Sequence, residues 1–570
     1  MCIPKNEYPR PQMMREDWLN LNGSWEFEFD FGKSGKYRNM LDKEKYDMEI
    51  IVPFCPESEL SGIGFTDFIN AVWYRRGFNI PSSWKNGRIL LHFEAVDYYS
   101  EVWINNTLVG NHKGGYTPFY FDITEFLHEN ENKLTLYAED DSRSGSQPSG
   151  KQSKIYPSTG CDYTRVTGIW QTVWLEYVPC SYIKSYTVTP DIENSRLHLS
   201  ADLEGNATLY AEALWNGKKV GAGEAVSKGG SLNFQIELEE LHLWEPLNPA
   251  LYDLNITYGE DSIKGYFGMR SLSLTENEML INGKPVFQRL VLDQGYYPDG
   301  IYTAPTDEAL KRDIELSIAM GFNGARLHQK VFERRFLYHA DKMGYLVWGE
   351  YGNWGLDHSG PEALGIFLPE WLEAVARDYN SPALIGWCPF NETWDIRGHR
   401  QDDAVLKGIY LASKAIDKTR PVIDTSGNYH VMTDIYDVHN YNQDVRQFQK
   451  DFEPVISGGD PFDHLSDRQK YAGQPYFVSE YGGIQWNEQK SDGWGYGNRP
   501  KSIEEYVERY IGLARTLLEN PRIFGLCYTQ LYDVEQEVNG IYHYDRTPKF
   551  RAEIMERLRA AMATPAAIEK

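Results

Sequence analysis

The chain has 570 residues, enough for about three or four domains, each with its own buried core. Its net charge of −25 and pI of about 5.0 argue against nucleic acid and anionic membrane surfaces, which both require a basic face. Aromatic residues are 14 % of the chain, with 16 Trp and 39 Tyr, so flat faces are plentiful for cores and for ligand stacking.

Six cysteines (Cys2, Cys55, Cys161, Cys180, Cys388 and Cys527) are scattered without a CxxC pair. Cys388 and Cys527 lie in apolar runs and read as buried free thiols, the usage of a reducing compartment. Residues 1–11 hold no apolar stretch of signal-peptide length, and no run is long enough to cross a membrane as a helix. A cytoplasmic chain is expected.

In chain order, residues 1–180 read as a jelly-roll-like β-sandwich. Gly23-Ser24-Trp25-Glu26-Phe27-Glu28-Phe29 and Glu101-Val102-Trp103-Ile104 alternate apolar with polar residues, and turn residues separate the strands. Residues 140–152, rich in Ser, Gly, Asp and Lys, read as a long loop, and that length makes it either mobile or functional. Residues 181–275 alternate again, in Arg196-Leu197-His198-Leu199-Ser200 for example, and fit one immunoglobulin-like sandwich.

From 276 to 570 the pattern changes to strand then helix, repeated. Strands are predicted at 287–292, 324–328, 345–348, 384–389, 421–424, 437–440, 476–479 and 523–528. Amphipathic helices are predicted between most of them, including 306–320, 332–342, 369–379, 402–418 and 503–518. Eight such units specify a (β/α)8 TIM barrel, with the sixth and eighth the weakest in pattern.

Two barrel strands end in carboxylates: Leu384-Ile385-Gly386-Trp387-Cys388-Pro389-Phe390-Asn391-Glu392 and Tyr476-Phe477-Val478-Ser479-Glu480. The carboxyl ends of barrel strands form the mouth where chemistry is done, and two carboxylates there are the minimum for cleaving a glycosidic bond. Either Glu alone could be a solvated residue closing a strand.

Through these runs the chain resembles glycoside hydrolase family 2, which includes β-galactosidases, β-glucuronidases and β-mannosidases. Leu21-Asn22-Gly23-Ser24-Trp25, Trp73-Tyr74-Arg75-Arg76 and Gly114-Gly115-Tyr116-Thr117-Pro118-Phe119 resemble its sugar-binding sandwich. Gly321-Phe322-Asn323-Gly324-Ala325-Arg326-Leu327-His328 resembles its second-strand motif. Arg377-Asp378-Tyr379-Asn380-Ser381-Pro382 with Phe390-Asn391-Glu392 resembles the acid/base signature, and Ser479-Glu480-Tyr481-Gly482 the nucleophile signature.

The resemblance implies a retaining double displacement, with Glu480 as nucleophile and Glu392 as acid/base, the acid kept protonated. It implies that Asn391 binds the hydroxyl beside the anomeric carbon and that Tyr441 orients Glu480. Arg326 and His328, alternating out of the second strand, are expected to fix Glu480 and sugar hydroxyls; His328 reads equally well as a satisfied core histidine. Asp293 could accept two sugar hydroxyls with its two oxygens. Trp354, Trp394 and Trp486 are stacking candidates, and simple packing explains each as well.

Departures from the family bear on the sugar. No suitably placed histidine follows Glu350 to build the magnesium site of the large β-galactosidases, so neither metal nor cofactor is expected. The Asn-x-Lys pair of the β-glucuronidases is replaced by Glu537-Val538-Asn539, and a carboxylate there would repel a uronate. The tryptophan common at the eighth strand's end is replaced around Thr529-Gln530-Leu531-Tyr532. The expected substrate is therefore a glycoside with a terminal neutral sugar, a β-galactoside first. An α-L-arabinofuranoside, a β-glucuronide or a β-mannoside is the alternative within the family, and a non-catalytic carbohydrate-binding array the alternative outside it. Members of the family often associate, which leaves a homo-oligomer open.

Overall fold

The structure is a computed structural model that describes residues 3–488 and 493–570. The first sandwich packs a four-stranded sheet (Trp18–Asn20, Val173–Pro179, Gly87–Phe93, Phe119–Asp122) against a six-stranded one. All its strand pairs are antiparallel, and the alternation seen in the sequence turns Trp25 and Phe27 inward with Leu91, Val102, Leu136 and Leu175. The second sandwich has a three-stranded and a four-stranded antiparallel sheet closed over Leu197, Leu199, Leu209 and Ile256.

The barrel strands are Gln288–Asp293, Gly324–Leu327, Leu346–Glu350, Leu384–Cys388, a short fifth at Thr425–Ser426, Tyr436–Asn440, Tyr476–Gly482 and Ile523–Thr529. Seven form one continuous parallel sheet, and the sixth and eighth both pair with the seventh in it, with shifts of register in each ladder. The fifth is the irregular one. The predicted strand 421–424 makes only a single bridge, Val422 to Trp387, before Thr425–Ser426 pairs with Phe390–Asn391.

Side chains join the fifth strand to the sixth instead of a ladder. His430 lies 2.7 Å from Asp424 and 3.1 Å from Asp437, and Ser426 donates to Asp437 at 2.7 Å. A turn replaces the helix that would follow the fifth strand. The helix predicted from 369 begins at Glu362 instead and carries Pro369 in its interior. Its buried face of Phe367, Trp371, Ala374 and Val375 runs through the proline, so packing outweighs the missing N–H.

The first domain and the barrel share one core, in which Cys55, Tyr116, Tyr163 and Trp170 pack with the barrel's own residues. Cys388 and Cys527 are buried free thiols as expected, whereas Cys2 lies outside the described residues. Among the described residues no helix is long and apolar enough to cross a membrane.

Candidate active site

Glu480 leaves the seventh strand into a cage of donors. Its Oε1 accepts from Arg326 Nη1 at 3.0 Å, and its Oε2 accepts from the Tyr441 hydroxyl. Tyr441 is itself held by Thr529, 3.0 Å away, and stacks on Tyr496 with ring centroids 3.5 Å apart. Arg326 also donates to the Ser479 carbonyl, to Glu350 at 2.6 Å and to the Asn391 side-chain oxygen at 3.1 Å. One buried guanidinium thus links the second, third, fourth and seventh strands. Its planar fork of donors suits that task.

Glu392 follows the fourth strand with φ +46, a left-handed conformation that costs a residue other than glycine about 1–3 kcal/mol. The backbone keeps it there through Glu392 N–H to the Ser426 carbonyl (3.0 Å) and Trp394 N–H to the Glu392 carbonyl (2.9 Å). Its Oε1 lies 2.7 Å from His439 Nδ1, and Trp394 Nε1 donates to Oε2 at 3.3 Å. The other His439 nitrogen is 3.0 Å from Ser426 Oγ and 3.5 Å from Glu480 Oε1. Oxygens of Glu392 and Glu480 and a nitrogen of His439 all lie within 4.8 Å of one another.

Burial would raise the Glu392 carboxyl, but the hydrogen bond and charge of His439, then the charge of Lys151, hold it down at about 2. Burial would likewise lower His439, and the Glu480 charge with the Glu392 hydrogen bond raises it instead. With Glu392 drawn down and His439 drawn up, carboxyl and imidazole form one proton-sharing pair.

The remaining expected residues divide. His328 is buried, its Nδ1 2.8 Å from Glu350, and burial followed by the charge of Lys151 keeps it neutral. Asn391 gives its oxygen to Arg326, which leaves its NH2 as the donating end. Asp293 departs from its expected role: its Oδ1 already accepts from the Gly295 N–H and the Tyr532 hydroxyl, so both oxygens are not available to sugar. Burial pushes that carboxyl up to about 6.

Trp394, 45 % exposed beside Glu392, is the most exposed tryptophan of the three. Trp354 donates to the Asn391 carbonyl at 3.0 Å, and the Lys151 ammonium lies 3.9 Å from its ring centroid. Trp486 is 8 % exposed, packed with Tyr506 and Arg499, so it fills space behind the mouth. Glu537 and Asn539 are both buried and bond each other at 2.8 Å, while the Tyr163 hydroxyl donates to Glu537.

Three contributors escaped the sequence reading. His439 lies near the end of the sixth strand, two residues before Tyr441, and that spacing was the available signal. Asn353 exchanges hydrogen bonds with the backbone of Asn391 at 2.8 and 3.1 Å and left no signal. Lys151 comes from the loop 140–152, whose length was the only hint. Glu392, His439 and Glu480 are the cluster among the described residues that could hold a metal. The Arg326 guanidinium against Glu480 opposes a cation there.

Residues 38–179 match the sugar binding domain of the glycosyl hydrolases family 2, residues 181–270 the domain that bears the family's name, and residues 272–564 its TIM barrel domain. The chain belongs to glycosyl hydrolase family 2. This family 2 chain is 26 % identical to a β-galactosidase of Thermoanaerobacter pseudethanolicus over 75 % of its own length and 57 % of the relative's. It is 26 % identical to the β-glucuronidase of Rattus norvegicus over 70 % of its length and 67 % of the relative's. Among solved structures, an uncultured Clostridium sp. β-glucuronidase superposes with a TM-score of 0.79 at 22 % identity, covering 96 % of this chain and 99 % of that one. A β-glucuronidase from Ruminococcus gnavus superposes equally well at 20 % identity, covering 98 % and 100 %. The chain thus spans little more than half of the β-galactosidase relative, and the family's shared fold is what the structural likeness establishes.

Proposed function

We propose that this chain is an exo-acting retaining glycosidase in which Glu480 is the nucleophile and Glu392 the acid/base. The observation that carries the reading is the approach of the two carboxylates to within 4.8 Å. Retention uses carboxyl groups about 5–5.5 Å apart, whereas inversion needs about 6.5–9.5 Å to admit a water. Glu480 attacks the anomeric carbon as the bond to the aglycone oxygen breaks, and that oxygen takes the proton held by Glu392 and His439. Water then attacks the glycosyl ester and gives its proton back to the same pair, releasing Glu480. His439 fits the timing: esterification removes the Glu480 charge that helps keep the imidazole protonated.

For the sugar, a terminal neutral residue, a β-galactoside first, is the reading we favour. By the family resemblance Glu537 and Asn539 would fall at the Asn-x-Lys pair of the β-glucuronidases, and both are buried here. A β-glucuronide is the second reading. It is favoured by the Lys151 cation and by the names of several relatives. Turnover of nitrophenyl galactoside, glucuronide, mannoside and arabinofuranoside, with the product anomer read by NMR, tests both levels. An inverted product would refute the roles of the two carboxylates, and a strong preference for the glucuronide at neutral pH would refute the neutral sugar.

A further inference from the structure

Lys151 belongs to the first domain, yet its side chain enters the barrel mouth. The Gly150 N–H bonds the carbonyls of Gly352 and Trp354 at 3.0 Å each, and the Ser149 N–H bonds that of Trp354 at 2.7 Å. Gly150 has φ +55 and lies against the Gln329 carbonyl, so a side chain there would collide with the barrel. The Tyr163 N–H holds the Lys151 carbonyl at 2.7 Å, while the hydroxyl of the same tyrosine holds Glu537. Backbone and ring together fix where the lysine points.

The side chain is only 4 % exposed. Its ammonium rests on the Trp354 ring and makes no hydrogen bond or ion pair among the described residues. A buried ammonium is normally paired, since isolated charge in a protein interior is costly. Burial lowers its affinity for protons, but neighbouring Cys161 and the carboxylates of Glu537, Glu392 and Glu480 raise it and keep it cationic. Those glutamates follow the fourth strand, lie on the seventh and lie in the loop after the eighth, so three segments of the barrel act on the ammonium.

We infer that Lys151 is a substrate-binding residue that donates to a hydroxyl oxygen of the terminal sugar, so that the first domain completes the barrel's sugar subsite. The inference rests on the glycosidase reading above and adds the residue that selects the sugar. A hydroxyl accepts from the ammonium without bringing a second negative charge up to Glu537, as a carboxylate would.

Lys151→Met keeps the stem over Trp354 and removes the donor. It should lower kcat/KM for the preferred glycoside by roughly 10- to 100-fold, the worth of one hydrogen bond to a charged group. Labelling of Glu480 by a 2-fluoro glycoside should slow in proportion yet reach completion, and the thermal midpoint should be unchanged. Against a series of monodeoxy sugars, one position should abolish the difference between wild type and variant. An undiminished kcat/KM, or a difference of the same size at every deoxy position, would assign Lys151 to packing alone. If Lys151→Met does not fold, Lys151→Gln repeats the series with a neutral donor and should fall less than tenfold. Sugar binding measured by calorimetry in a Glu480→Gln background reads Lys151 without turnover. Should the wild type cleave only the glucuronide, the neutral-sugar reading fails while Lys151→Met is still scored, on that substrate.

Discussion

His439 Nδ1 lies 2.7 Å from Glu392 Oε1, which joins the sixth strand of the barrel to the residue that ends the fourth. The contact exists because Gly427 has no side chain. A Cβ there would overlap the His439 ring, and φ +67 already favours glycine. The Glu392 carboxyl, the proposed acid/base, is therefore half of a proton-sharing pair whose other half is an imidazole.

His439→Gln should shift the alkaline limb of kcat/KM to lower pH. In the wild type the pair loses its proton only as pH rises through the raised histidine value. In the variant the proton must sit on a carboxyl that Lys151 still draws down. Substrates with poor leaving groups should slow by on the order of 10- to 100-fold, part of what general acid catalysis supplies. Dinitrophenyl glycosides should barely change. A pH profile that superposes on the wild type would remove His439 from proton transfer.

Glu480→Gln should abolish turnover and leave the fold intact, because it removes covalent catalysis and no apolar packing. Glu392→Ala should spare the first step for good leaving groups and slow the second. Azide needs no general base, so it should restore turnover and give a glycosyl azide of retained configuration. An inverted azide would show the roles to be wrongly assigned.

Charge selection should depend on pH through Glu537. Burial raises its carboxyl to about 7, against the pull of Lys151, Tyr163 and Asn539, so it is neutral below that value and charged above it. Galactoside should be preferred over glucuronide by roughly 10- to 100-fold at pH 8, and the preference should shrink towards pH 5.5. Glu537→Gln should flatten this ratio, and Glu537→Asn with Asn539→Lys should narrow it further. A ratio constant between pH 5.5 and 8 in the wild type would exclude Glu537 as the selector.

The seam between the fifth and sixth strands should fail in alkali. Burial lowers His430, but Asp424 and Asp437 outweigh it and raise it to about 10. A group raised on folding contributes fully below its unfolded value of about 6.5, and that contribution is lost as pH rises through about 10. Stability measured by urea unfolding should thus decline between those limits. His430→Gln leaves two buried aspartates without their cation, so it should cost about 3–5 kcal/mol at pH 6 and flatten the decline. An unchanged slope would place the alkaline sensitivity elsewhere.

Strand-borne chemistry was legible in the sequence. Asn391, Glu392 and Glu480 close apolar runs, Arg326 and His328 alternate from one strand, and period-2 and period-3.6 patterns are local properties that a sequence prints directly. That locality also told the sandwiches from the barrel. The fifth barrel strand was read one step too regular because its neighbour is held by His430, Asp424 and Asp437, and side-chain bridges leave no period.

The tertiary structure alone decided how charges pair. The Glu392 proton depends on a histidine from another strand, and the Asp293 oxygens on a tyrosine beyond the eighth. The cation of the pocket depends on Lys151, which approaches from a different domain. Coulomb energy and burial depend on distance in space, and no spacing along the chain encodes them.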